Sequence, residues 1–225
     1  SLTIEAIDTL ARIDRGAWDR LANPPGEERD PFLSWHFLQA LEESGCVHAR
    51  AGWTPAHLVA REAGAIVGVM PLYAKQHSYG EYVFDHAWAD ALMRAGGRYY
   101  PKLQGAVPFT PVPGRRVLAG DANVRAALAL GAIGLARRAD RSSVHVAFAS
   151  EAACRELAPL GFLTRMGLQY HWFNQGYRRF GDFLAALSSQ KRKAIRRERA
   201  RACEGLAVKR LRGPEIKARD WDFFF

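Results

Sequence analysis

The sequence predicts an α+β fold: a mixed β-sheet flanked by helices, followed by the opening of a second such domain. Three observations carry this. Short runs near the start and middle alternate apolar and polar residues, as half-buried strands do. Helically spaced apolar residues lie between them, and a strand–helix–strand passage at 117–149 adds parallel pairing to a sheet that also holds a hairpin. After Asn174 the pattern restarts instead of closing.

Taken in order, LTIEAID (2–8) is the expected first strand. DRGAWDRLA (14–22) is a short helix with Trp18 and Leu21 on one face, broken by the prolines and glycine of NPPGEERDP. FLSWHFLQALEES (32–44) places Phe32, Trp35, Leu38 and Leu41 at helical spacing, with Gly45 as the stop. AHLVARE and AIVGVMPLYA flank Ala63–Gly64 and read as a hairpin. The segment 79–118 is rich in aromatics, glycine and proline and reads as irregular or strand-like. DANVRAALALGAIGLARRA (121–139) is a long helix with Asp121 as its N-cap. SSVHVAFA is a strand, EAACRELAPLG a helix, and FLTRMG and LQYHWF a closing pair of strands. Beyond them YRRFGDFLAAL (177–187) is a short amphipathic helix. A basic helix capped by Ser188 or Ser189 and a strand at GLAVKRL (205–211) follow. DWDFFF then breaks off in mid-pattern, so the expected domains are 1–175 and the truncated 176–225.

Composition narrows the function classes. Of 225 residues, 48% are hydrophobic and 24% charged, an ordinary globular balance. The longest nearly apolar run, 126–136, falls short of the about 20 residues a membrane span needs. No basic-then-apolar leader opens the chain, and Cys46, Cys154 and Cys203 form neither a metal pattern nor a disulfide framework. A reducing cytoplasm and no metal are therefore expected. The net charge of +9 is uneven: residues 187–225 hold 12 Lys/Arg against 5 Asp/Glu. An anionic partner is implied at that segment.

Three constellations could carry chemistry. Between 191 and 201, seven of eleven residues are Lys or Arg. Lys191, Arg192, Lys193, Arg196 and Arg197 suit phosphate oxygens; the plainer reading is a solvated helix face. The segment 80–116 combines Asp85, His86, Trp88, Asp90, Tyr99, Tyr100, Lys102 and Gln104. An aromatic-walled cleft with a few polar groups suits a ligand, with Asp85 or Asp90 as general base. The plainer reading is a long loop pinned by its aromatics. In QYHWFNQGY (169–177), His171 is a base or merely a hydrogen-bonded sheet histidine.

Two stretches go beyond pattern. YYPKL followed by AVPFTPV (99–112), then HWFNQGY (171–177) leading into the KRK…RRER helix, resemble the FemAB-like family of bacterial N-acyltransferases, or peptidoglycan biosynthesis/recognition proteins. His86 and Tyr170 depart from that pattern, where Trp and Phe are expected.

The resemblance implies two GNAT-like domains in tandem, an order of elements the chain also follows. It implies acyl or aminoacyl transfer to an amine acceptor, linked to cell-wall precursors. Asp85, Asp90 and His171 are then the candidate catalytic residues. Trp88, Tyr99, Tyr100, Lys102, Gln104, Trp172, Asn174 and Tyr177 are the candidate substrate contacts. No tightly bound cofactor is expected; the co-substrate is acyl-CoA or aminoacyl-tRNA. The partner is an anionic small molecule, a nucleotide-linked substrate or tRNA. The alternative is a non-catalytic module of the same shape that binds an anionic glycan precursor or RNA. PVPGRRVLAGDAN (111–123) does not match the glycine-rich loop on which GNAT enzymes hold CoA, so the first domain is not expected to hold it in that way.

Overall fold

A computed structural model describes residues 1–224; Phe225, the end of the DWDFFF reading, lies outside the described residues. The chain divides into two compact units, Ser1–Gly167 and Leu168–Phe225.

The first unit is α+β. Strand β1 (Leu2–Ile7) is followed by helices α1 (Arg15–Ala22) and α2 (Trp35–Glu43). Strands β2 (Trp53–Pro55), β3 (His57–Glu62), β4 (Ala65–Met70) and β5 (Leu72–Lys75) come next. Helix α3 (His86–Arg94), strand β6 (Lys102–Gly105), helix α4 (Ala122–Arg138), strand β7 (Val144–Val146) and helix α5 (Glu151–Leu157) complete it. One sheet has the order β1-β3-β4 and the other β2-β5-β6-β7. All pairs are antiparallel except β6–β7, so the expected mixed sheet is present.

Local chemistry sets most boundaries. Asp14, Ser34, Asp121 and Ser150 each accept a backbone N–H at the start of a helix, a cap worth about 1 kcal/mol. The hairpin turn at Ala63 and Gly64 has φ of 47° and 84°, the left-handed pair that a tight hairpin favours. Trp18, Leu33 and Leu38 fill a core between α1, α2 and the first sheet, and the Trp18 indole donates to Leu33 O at 2.8 Å. Burying Leu33 and Leu38 contributes about 1.5–3 kcal/mol each. Helix α4 packs on the sheet through Leu128 and Ala132, beside Leu58, Ala60 and Met70.

Three expectations fail. Residues 162–173 form no strand, and Leu163, Met166, Leu168 and Tyr170 are exposed. Alternation gives an apolar face, but a strand also needs a neighbour for its N–H and C=O groups. Among the described residues no strand pairs with this segment. GLAVKRL is likewise unpaired and exposed. The segment 79–118 contains β6, which fits the irregular or strand-like reading, and α3, which does not.

The second unit holds α6 (Phe180–Ala186), α7 (Ser189–Ala202) and α8 (Ala218–Phe224). Ser188 caps α7, accepting the Lys191 N–H at 3.4 Å. Among the described residues no helix is long and apolar enough to cross a membrane.

Candidate functional site

Strands β5 and β6 set two lysines face to face. Lys75 opposes Lys102, Tyr73 opposes Gln104, and Gln104 opposes His145 on β7. Alternate strand residues share a face, so these side chains gather on one side of the second sheet. Tyr73, Lys75, Lys102 and Gln104 are buried there.

The chain between β5 and β6 supplies their partners. Lys102 Nζ donates to Ser78 Oγ at 2.9 Å, Glu81 Oε2 at 2.8 Å and Asp85 Oδ2 at 2.9 Å. These use all three donors of an ammonium. Tyr99 OH donates to the same Asp85 oxygen at 2.7 Å, and Tyr100 OH lies 2.7 Å from Ser78 Oγ. Asp85 occupies the N-cap position of α3 but makes no capping bond, because its carboxylate serves Lys102 and Tyr99 instead. Lys75 Nζ lies 3.5 Å from the Trp53 ring centroid and donates to Tyr79 O at 3.1 Å.

The enclosure leaves acceptors open. Among the described residues, Asp85 Oδ1, Glu81 Oε1 and Gln104 Oε1 are buried without a hydrogen-bond partner. Buried polar groups are almost always satisfied, so each open oxygen asks for a further donor. The covering backbone is also strained. Tyr82, Phe84 and Phe109 adopt φ of 57°, 50° and 59°, a left-handed conformation that costs of order 1–3 kcal/mol per residue without glycine. Such strain concentrates at functional sites.

The electrostatics follow from this packing. Burial presses the Lys75 amine down to about 7; Glu81 pulls it up and Lys102 pushes it further down. Burial also raises the Asp85 carboxyl, but the bonds from Tyr99 and Lys102 outweigh it and hold the group well below the usual carboxylate range. Burial raises Glu81 above its ordinary value, against the pull of Lys102 and Lys75. His145 is pressed down to about 4 by burial and then by the charge of Lys102. The cluster thus holds a fixed anion beside an amine that changes protonation near neutrality.

The structure brings together Asp85, Tyr99, Tyr100, Lys102 and Gln104. Trp88 and Asp90 stand exposed on α3, with the Arg165 guanidinium 5.3 Å from the Trp88 ring. In the second unit His171 is exposed and stacks on Phe173 at 6.2 Å, not on a strand face as expected. Asn174 and Tyr177 clasp each other through two hydrogen bonds. Trp172 and Tyr177 line a cavity of about 420 Å³ with Arg178, Arg179, Phe180 and Phe183. On α7, Lys191, Lys193, Arg196 and Arg197 are exposed, while Arg192 reaches back to Ala185 O at 3.2 Å. Sequence reasoning missed Lys75, Ser78, Glu81 and His145. A signal existed for Lys75: it extends the β5 alternation onto the face that Tyr73 occupies.

A family profile described as FemAB-like, peptidoglycan biosynthesis/recognition, matches residues 9–225. Solved structures give looser likenesses. An acetyltransferase of Trypanosoma brucei is 16% identical over 77% of this chain and 100% of its own, with a TM-score of 0.43. A GCN5-related N-acetyltransferase from Ralstonia eutropha JMP134 is 10% identical over 76% and 99%, with a TM-score of 0.43. An aminoglycoside acetyltransferase from an uncultured soil metagenomic sample is 14% identical over 78% and 99%, with a TM-score of 0.41. No curated protein matches the chain.

Proposed function

The chain belongs to the FemAB-like family of peptidoglycan biosynthesis/recognition proteins, and from that premise we propose that it is an N-acyltransferase. It moves an acyl or aminoacyl group onto an amine in cell-wall precursor metabolism. The observation that carries this reading is the buried Asp85–Lys102–Glu81 cluster with its open oxygens, Asp85 Oδ1 and Glu81 Oε1. Two carboxylate oxygens without donors suit the N–H groups of an acceptor amine.

Asp85 is ionised throughout the working range and so anchors the amine. Lys75, near 7, has the proton affinity of an effective general base at neutral pH. The acceptor nitrogen loses its proton, its lone pair attacks the activated carbonyl carbon, and the C–N bond forms. The carrier leaves with the electrons of its own bond to that carbon. Asp90 and His171 are the alternative bases. Gln104, Tyr99, Tyr100, Trp88, Trp172, Asn174 and Tyr177 are proposed to contact substrate. The cations of α7 are proposed to hold phosphates of the donor or of a nucleotide-linked acceptor.

The test is amide formation followed by mass spectrometry, with a primary amine and either acetyl-CoA or aminoacyl-tRNA as donor. Product from one donor alone identifies the carrier. Product from neither overturns the enzymatic reading in favour of a binding module.

A further inference from the structure

The segment that covers the lysine cluster is apolar on its outer side. Among the described residues of helix α3 only Ala89 is buried. At 3.6 residues per turn, Trp88, Ala91 and Leu92 form one stripe, and all three are exposed. Asp90 and Arg94 fall on the opposite side. A surface helix ordinarily turns its apolar stripe to the core. The chain leading into α3 is exposed in the same way. Phe84 is 78% and Tyr82 48% exposed, yet both are held at positive φ, 50° and 57°. That conformation is unfavourable for bulky residues, and side chains left in solvent return little packing to offset it.

A second segment of the same unit meets this stripe. Arg165 sets its guanidinium 5.3 Å from the Trp88 ring, a cation–π distance. Its neighbour Leu163 is 96% exposed, and Met166 is exposed too. Apolar surface gathered in this way marks an interaction site. The charge beside it is positive. Arg98 pairs with Asp140, whereas among the described residues Arg94 and Arg165 form no ion pair. Against these two free guanidiniums α3 exposes one acid, Asp90. The nearby Glu81 and Asp85 are buried and held by Lys102.

We propose that this face docks on the surface of an acidic lipid bilayer. Phe84, Trp88, Leu92 and Leu163 enter the boundary between headgroups and acyl chains, about 5–10 Å deep. Tyr82 stays at headgroup level, and Arg94 and Arg165 meet lipid phosphates. Trp and Tyr have one apolar and one polar end and concentrate at such boundaries, and an arginine stem lies in the apolar layer while its head stays wet. The shape favours a bilayer over a protein. Side chains this exposed protrude from the surface. A fluid phase accepts protruding groups without a matching pocket, whereas the core of a protein interface needs shape complementarity. Docking of this kind adds to the acyl-transfer reading and does not depend on it.

The experiment is co-sedimentation of the full chain with phosphatidylglycerol vesicles, against phosphatidylcholine vesicles. The parent chain binds the acidic vesicles more tightly. Part of that binding persists at about 0.5 M NaCl, where charge attraction reaches only about 4 Å. Phe84→Asn and Leu163→Ser each weaken partitioning about tenfold. Arg165→Ala weakens it about fivefold, on the acidic vesicles only. Asn accepts the left-handed conformation, so Phe84→Asn keeps or raises the melting temperature while it loses vesicles. If Phe84→Asn does not fold, the almost fully exposed Leu163→Ser decides. The proposal is overturned if no vesicle binds. It is also overturned if all binding vanishes at high salt or survives both apolar changes, either of which leaves the cations of α7 as the attachment. A dimer in sedimentation velocity that Phe84→Asn abolishes, without vesicle binding, overturns it in favour of contact between copies of this chain. Vesicle binding is read without turnover, so an absence of amide formation leaves this result standing, and the reverse holds as well.

Discussion

Lys75 and Lys102 stand directly opposite each other on neighbouring antiparallel strands, both wholly buried. Like charges in that position repel. The arrangement persists because the two amines are treated differently. Lys102 is surrounded by three oxygens, whereas Lys75 lies over the Trp53 ring and is held near neutrality by burial. One strand pair therefore carries a lysine held by three oxygens beside an amine that titrates near neutrality.

That asymmetry predicts unequal costs. Lys102→Met strands Glu81 and Asp85 without their cation and lowers stability by about 3–5 kcal/mol. Lys75→Met loses one bond to a carbonyl, worth about 1 kcal/mol, but also relieves the cost of burying an amine that titrates at about 7, so it lowers stability far less than Lys102→Met. Urea unfolding of both variants at pH 8 checks this; equal costs contradict the assignment.

The pH dependence has a definite sign. The folded Lys75 titrates at about 7, against an ordinary value of 10.5. Between these values the unfolded chain binds the proton and the folded one does not, so this group makes stability rise with pH across that window. Unfolding at pH 7 and pH 9 shows the rise in the parent chain relative to Lys75→Met.

Asp85 acts at the acid end. Its folded value is depressed, so its contribution is present above the ordinary carboxylate range and is lost as pH falls toward the folded value. Tyr99→Phe removes one of the bonds that depress it, costs about 1.5–3 kcal/mol at pH 7, and moves the onset of acid unfolding upward. An acid titration followed by circular dichroism reads both effects.

Helix α4 approaches the first sheet over Gly68. A methyl group there meets Val124 Cγ1 at 2.7 Å, Leu128 Cδ1 at 3.0 Å and Ala119 Cβ at 3.1 Å. Gly68→Ala therefore overpacks the interface and costs about 1–3 kcal/mol, measured as a shift in the urea midpoint.

If α7 holds phosphates, Arg192→Ala with Arg196→Ala weakens binding of a single-stranded RNA. It also flattens the log–log salt dependence by about 0.7 for each phosphate no longer neutralised. A stability loss with unchanged binding assigns the helix to packing.

Elements with their own local signals were legible in the sequence. Asp121 announced α4, Ala63–Gly64 the hairpin, and LTIEAID the first strand. The closing strands do not form because pairing is non-local: Leu163 and Tyr170 have strand spacing but, among the described residues, no strand beside them. The site was legible in part. Asp85, Tyr99, Tyr100 and Lys102 lie in one distinctive stretch, whereas Lys75 and His145 belong to strands that only the sheet register brings beside it. Glu81 carries no local signal, since nothing near it in sequence says that Lys102 will reach it at 2.8 Å.

The most direct measurement is the rate of amide formation in the parent chain and in Asp85→Asn, with circular dichroism confirming that both fold. Asp90→Asn and His171→Ala are run in parallel. If Asp85 anchors the acceptor amine, Asp85→Asn lowers the rate at least about 100-fold and the parallel changes do not. An unchanged rate in Asp85→Asn, or no amide from either donor, contradicts the account.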